Sequence, residues 1–253
     1  MPSDFQLEVA RGNFPGSTFV HKFGKSPDFD SSDGFVTVHD GANDAFANQQ
    51  NNYVYSATAD IDSLSSSAGD TVDIEVQGLD TNYNLSTETV TLTGTTPVSL
   101  PTTLIRVFRL KNVGATDLVG TVYCYVSGGT VTAGVPQVAA DIRARITIGA
   151  NQTLMAVYTV PVSKKGYLCC IHVSLAGAIK TSAHVFHLRV RAFGQVFQLK
   201  HTGSVLAVGS SHINHVFDIP EIIPAKADIE IEVNTDTNVA AVSAGFELII
   251  VDD

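Results

Sequence analysis

The chain has no tryptophan, and among its 253 residues only three are cysteine and two methionine. Without tryptophan the largest ring for stacking sugars is missing, and with only seven tyrosines this weighs against a lectin-like module or a carbohydrate-active enzyme. Cys124, Cys169 and Cys170 are too few for a disulfide framework, and sequence neighbours such as Cys169 and Cys170 seldom bridge each other, so buried thiols are expected. Basic residues are scarce: 15 Lys and Arg stand against 25 Asp and Glu, a formal net charge of -10. Phosphate binding needs clustered Lys and Arg, so nucleic acid is not an expected partner. No run approaches about eighteen uninterrupted apolar residues, the length of a membrane span. The opening MPSDFQLEVARGNF has neither the basic start nor the apolar stretch of a secretory signal. A soluble chain made in a reducing cytoplasm is therefore expected, with no membrane partner. Catalytic signatures are missing as well. There is no GxSxG, HExxH, Walker loop or dinucleotide fingerprint, so no catalytic residue and no cofactor is assigned.

What the chain has in quantity is alternation. Val72, Ile74 and Val76 alternate with Thr71, Asp73, Glu75 and Gln77, the period of a half-buried strand. Asp80 to Asn84 then supplies side chains that hydrogen-bond their own backbone in a turn, and Thr87 to Thr93 resumes the alternation around Val90 and Leu92. The same style predicts strands at Tyr53 to Ala59, Asp70 to Gln77, Glu88 to Thr93, Leu104 to Lys111 and Gly120 to Val126. A second series follows at Ile142 to Ile148, Gln152 to Val160, Lys165 to Leu175, Ala183 to Phe193, Gln195 to Thr202, Ile229 to Val233 and Gly245 to Val251, with Ser204 to Ala225 as a long crossing segment. The fold class is thus all-β. Residues 53–140 are expected to form a small Ig-like sandwich and residues 141–253 a jelly-roll-like one in tandem.

Residues 1–52 read as an irregular N-terminal arm. It is rich in Gly, Asp, Asn and Ser, yet it carries Phe5, Phe14, Phe19, Phe23, Phe29, Phe35 and Phe46. Those rings need burial on the following domain or on another subunit. The first is favoured, because burial within one chain costs no association entropy. Charge is uneven: the first hundred residues hold fourteen Asp and Glu against three Lys and Arg, whereas residues 143–226 hold nine Lys and Arg against two acids. A solvated surface is the plain reading, and attraction between halves of neighbouring copies is the other. Phe14, Phe19, Phe23, Phe29 and Phe35 are the candidate interface residues, with Arg189, Arg191 and Lys200 as charge partners for an acidic neighbour. Arg189 and Arg191 share one strand face, however, and also fit that strand's solvated side.

Metal sites find little support. His184 and His187 are three apart, which on a strand sends them to opposite faces, while His212 and His215 in SSHINH could approach each other in a loop. Asp28, Asp30, Ser32 and Asp33 resemble the opening of a calcium loop. Asp33 occupies the required glycine position and His39 the position of the bidentate glutamate, so turn chemistry is the better reading.

Four segments carry a family resemblance: ARGNFPGSTFVHKFGKSPDFD at 10–30, VQGLDTNYNLSTETVTLTGTTPV at 76–98, NQTLMAVYTVP at 151–161 and AGFELIIVDD at 244–253. Together, in this order, they resemble small virion structural proteins of tailed bacteriophages, particularly those infecting cyanobacteria and other aquatic bacteria. His39, in VTVHDGAN, departs from the aromatic residue the pattern would place there. The resemblance implies a particle component located in the virion and assembled in the host bacterial cytoplasm. A capsid decoration (cement) protein clasping the shell through the Phe-rich arm is the leading expectation. It would be a homo-oligomer, the trimer being common in that class, with the major capsid protein or other virion proteins as partners. A neck, tail or baseplate component is the alternative, and a carbohydrate-binding or receptor-binding module is a second one.

Overall fold

The computed structural model describes residues 3–26, 29–40, 57–237 and 241–253. Two compact units divide them. Unit 1 joins Met1–Val38 to Ala156–Asp253, and unit 2 is His39–Met155. The sandwiches are therefore nested, one inserted into the other, and not in tandem. Among the described residues no helix is long and apolar enough to cross a membrane.

Unit 1 opens with helix α1 (Ser3–Ala10), which ends where Gly12 turns to a φ of 78°, a left-handed position suited to glycine. Val9, on this helix, packs with Cys169 and Ile249. Strand β1 (Ser17–Ser26) follows and then the short β2 (Val36–Thr37). The expected irregular arm is thus largely ordered structure of unit 1: β1 pairs from Ser17 opposite Val251 to Ser26 opposite Val242, and Phe29, Val36 and Val38 are buried. Phe5, Phe14 and Phe35 nevertheless stay exposed, and the polar composition of the segment concealed the main-chain pairing of β1. Phe46 and most of the run expected at Tyr53 to Ala59 lie outside the described residues.

Unit 2 contains β3 (Ile61–Ser66), β4 (Asp73–Asp80), β5 (Leu85–Thr91), β6 (Val98–Asn112), β7 (Val122–Val126), the two-residue β8 (Val131–Thr132) and β9 (Val135–Pro136), and β10 (Ile142–Ile146). Six of these form an antiparallel sheet in the order β10-β7-β3-β6-β4-β5. Long β6 pairs with β3 up to Leu104 and with β4 beyond it, so one strand serves both layers of a sandwich. Ile61, Leu64, Ile74, Leu79, Leu110, Val122, Cys124 and Ile146 fill its interior. Acidic side chains pin the loops. Asp80 accepts from the Asn82 and Asn84 amides at 2.8 and 2.9 Å, the turn expected from the sequence. Buried Asp70 accepts from Val119 N at 2.8 Å and Gly120 N at 3.0 Å. The run at Ile142 completes this sandwich through β7 and does not begin the next, and β3 in IDSLSS was hidden by its serines.

The chain re-enters unit 1 with β11 (Val157–Thr159), β12 (Lys164–Arg191), β13 (Gln198–Ile223), β14 (Asp228–Thr235) and β15 (Ala241–Asp252). Central β12 pairs with β13 along one side, and with β15 and then β14 along the other. Outside these, β1 covers β15, while β2 and β11 cover β14. The segment at Ser204 to Ala225, expected as a crossing loop, is mostly strand: its Gly and Ser content masked a period-two alternation. Fourteen residues of straight strand span on the order of 45 Å, yet the rings of His201 and His215, both on β13, stack with centroids 4.4 Å apart. The ribbon is therefore rolled back on itself, which gives unit 1 its jelly-roll-like form. Phe186, Leu188, Val190, Ile229 and Ile231 from one half, and Leu168, Ile171, Val173, Phe246 and Leu248 from the other, are its buried apolar side chains.

Candidate functional site

Charged side chains concentrate on one face of the β12–β14 pair. The register sets His187 opposite Glu232, Arg189 opposite Glu230 and Arg191 opposite Asp228, and the intervening apolar residues turn to the core, as a period of two requires. His187 Nδ1 lies 2.9 Å from Glu232 Oε1, and Arg189 Nη2 lies 2.8 Å from Glu232 Oε2. Arg189 Nε donates to Glu230 Oε1 at 2.9 Å, and Arg191 Nε donates to Asp228 Oδ2 at 2.9 Å. From the other side Thr37 Oγ1 donates to Glu230 Oε2 at 3.0 Å, and Thr159 Oγ1 to Asp228 Oδ1 at 2.6 Å. All six carboxylate oxygens are engaged, so none stands ready as a base. The acids are buried, burial raises the Glu232 carboxyl above its usual range, and the cations cover them. Phe35 stacks on His187 at 4.0 Å, while Phe197 lies 5.0 Å from the guanidinium carbons of both Arg189 and Arg191. This ladder is a structural cross-link.

Of the candidate interface residues, Phe35 joins Arg189 and Arg191 at the ladder through its stack on His187, and Phe35 and Phe14 are exposed. Arg189 and Arg191 share a face as expected, but their carboxylates belong to their own chain, and Lys200 pairs with Glu221 at 2.9 Å. Phe29 is buried, Phe19 packs partly buried against the Val9–Cys169–Ile249 cluster, Phe14 meets Phe5 in a tilted ring contact at 4.9 Å, and Phe23 neighbours His21 at 5.5 Å. The ladder had a signal in the sequence: HLRVR and DIEIE alternate charge against apolar residues with opposite sign. Each was readable as a solvated face; only their pairing shows them as one unit.

Histidines and cysteines are likewise dispersed. His184 is buried and His187 faces the ladder, as their spacing requires. His212 and His215 lie on a strand and not in a loop, so they face opposite ways: His212 Nδ1 is 2.8 Å from Ser174 Oγ, whereas His215 stacks on His201. All three cysteines are free and buried. A register shift lies between Leu168 and Cys170; Cys169 packs near Val9, while Cys170 Sγ lies 2.9 Å from Asn214 Oδ1. Among the described residues no group of three or more His, Cys, Asp or Glu is placed to hold a metal. Asp28 of the suggested calcium loop lies outside the described residues. Asp33 accepts from the Asp30 amide at 2.8 Å, which is turn chemistry.

In unit 2 the neighbouring His39 and Asp40 are both buried. Thr147 Oγ1 donates to Asp40 Oδ2 at 3.0 Å, and Arg145 Nη2 donates to the Asp40 carbonyl at 2.6 Å. Burial outweighs these contacts and lifts the Asp40 carboxyl to about 6. Burial, followed by the Arg145 charge, lowers neighbouring His39 to about 4. His39 is thus an interior residue whose neutral form burial favours.

Besides Phe5, Leu7, Phe14, Phe35 and Phe193, which are also exposed in unit 1, a run of exposed apolar side chains that sequence reading missed lies along β13. Val196, Leu199, Leu206, Val216, Ile219 and Ile222 all stand out from β13 and the turn before it, with Ile219 85% exposed.

No protein-family profile matches the chain, and no curated protein sequence matches it. Structural alignments place it beside chains of virus particles. A chain of the naturally occurring empty particles of cowpea mosaic virus aligns at 12% identity over 76% of this chain and 81% of that one, with a TM-score of 0.24. A broad bean stain virus chain aligns at 12% over 76% and 84%, TM-score 0.22. An infectious bursal disease virus chain aligns at 10% over 98% and 78%, TM-score 0.25. At such scores the alignments carry no argument about shared fold or function.

Proposed function

We propose that this chain is a structural protein of a virus particle, and specifically a capsid decoration protein of a tailed bacteriophage that stabilises the shell by non-covalent contacts. The observation that carries the reading is a contrast of surfaces. The charged face of β12 and β14 is closed by its own ion pairs, whereas apolar side chains stand exposed along the β13 edge. Such a surface suits contacts between proteins more than turnover of a small substrate. The four ordered segments that resemble phage virion proteins supply the particle as context. The partners are then the major capsid protein and further copies of this chain. The arm is no longer the proposed clasp, because β1 and Phe29 belong to the fold of unit 1.

Quantitative mass spectrometry of purified particles tests the assignment. A copy number matching that of the capsid protein is expected. A copy number of a single ring would move the chain to the neck, tail or baseplate, and its absence from particles would overturn the virion reading.

A further inference from the structure

We propose that the β13 edge of unit 1 is a self-association surface whose occupant is a second copy of this chain. The inference stands apart from the viral reading, since it concerns the isolated protein. Among the described residues β13 pairs only with β12, so its opposite side offers main-chain donors and acceptors to another strand. The roll then concentrates this edge. Lys200 meets Glu221 at 2.9 Å and His201 stacks on His215 at 4.4 Å, which draws the two ends of β13 together. Leu199 adjoins the first member of that ion pair in sequence, and Ile222 the second, so apolar side chains from both ends share one border. The six exposed apolar residues named above present roughly 700 Å² between them, close to the ~800 Å² each partner contributes to a standard interface. Exposed apolar residues of unit 2, such as Leu85, Val119 and Ile148, are separated in sequence and need no such explanation.

Charge selects the occupant. A chain of net charge -10 repels its own copies over most of its surface. Between residues 193 and 222 the charged residues are Lys200, Asp218 and Glu221, and two of these neutralise each other. A near-neutral apolar edge is where two like-charged copies can meet, and it offers nothing to a strongly basic or acidic partner. Antiparallel apposition about a twofold axis sets the same residues on both sides, which satisfies an isologous contact. The register shift between Leu168 and Cys170, opposite Glu221 and Val216, bulges residues 217–220 and interrupts main-chain pairing there. The stretch from His201 to Leu206 is therefore the pairing segment, and Val216, Ile219 and Ile222 add side-chain contact.

Sedimentation equilibrium of the full chain tests this. A mass of two copies that falls to one on dilution is expected. Leu206→Lys and Ile219→Lys, both at exposed sites, should each weaken association at least ~10-fold, with the melting curve unchanged at dilutions where wild type and variants are both monomeric, while Leu85→Lys in unit 2 leaves the mass as it was. Hydrogen exchange supplies a second readout: amides from His201 to Leu206 should become more protected as protein concentration rises. A wild-type chain that stays monomeric at its solubility limit overturns the proposal, and so does an oligomer that survives both lysine substitutions.

Discussion

The two units are built from the same kind of strand but close differently. In unit 2 every sheet partner comes from one contiguous stretch, and its acids are spent on its own loops: Asp62 on Ser127, Asp70 on residues 119 and 120, Asp80 on its turn. Unit 1 is closed by strands from opposite ends of the chain, with Ser17 beside Val251, and three of its acids, Asp228, Glu230 and Glu232, are buried in a cross-strand ladder. Local closure lets unit 2 form without waiting for the rest, whereas unit 1 pays the loop entropy of joining the two ends first. What unit 1 obtains in return is a long rolled ribbon with one border left open.

The largest effect that would sharpen this contrast comes from truncation. Deleting residues 1–38 removes β1, β2 and buried Phe29, so calorimetry should show the unit 1 transition lost, while an isolated 39–155 chain keeps a cooperative melt. Two intact transitions in the truncated chain would return the segment to the role of a dispensable arm. Next comes the ladder. Arg189→Met strands Glu230 and Glu232 without their guanidinium and should cost unit 1 about 3–5 kcal/mol, with the unit 2 transition unmoved in the same thermogram.

Smaller, and confined to unit 2, is a pH effect. His39 sits at about 4 in the folded chain against an ordinary 6.5, and Asp40 at about 6 against 3.8. As pH falls from 6.5 to 4, the unfolded chain binds a proton at His39 that the folded unit refuses, which withdraws stability. Over nearly the same window, from 6 down to 3.8, the folded unit binds a proton at Asp40 that the unfolded chain does not, which restores it. Each slope approaches about 1.4 kcal/mol per pH unit, and in the wild type they oppose. Asp40→Asn leaves the His39 slope alone: the variant should be the more stable form above pH 6 and should lose about 2–3 kcal/mol on acidification to pH 4. Parallel melting profiles for variant and wild type would refute the compensation. The smallest effect is expected for Phe35→Ala, about 1 kcal/mol from the lost His187 stack, measured by urea denaturation. Oligomeric mass should not change, and a change would return Phe35 to the interface.

The sequence made the β class legible because alternation is a local property, and the turn at Asp80 was legible for the same reason. Nesting was not, since nothing in STFVHKFGKS names its partner, Val242 to Val251, at the far end of the chain. The acidic alternation of DIEIE reads as a wet face until the basic strand opposite it is known. The arginines were found and their partner was misplaced, because a charge announces that it needs an opposite and does not say on which chain. The β13 edge escaped for another reason: glycines and serines within it imitate a loop.

β2 and β11 carry a consequence for where unit 2 is inserted in the chain. Thr37 pairs with Glu232 and Val157 with Glu230, and both Val38 and Ala156 hydrogen-bond at Ile231, at 2.9 and 3.2 Å, while Ala156 N donates to Val38 O at 2.9 Å. The two short strands are therefore successive pieces of a single lane along β14, cut at one point. Unit 2 enters and leaves through that cut as a spliced cassette. A short turn in its place should heal the lane, and the same cut should accept a foreign domain as cargo, which makes it the natural position for displaying another protein on unit 1.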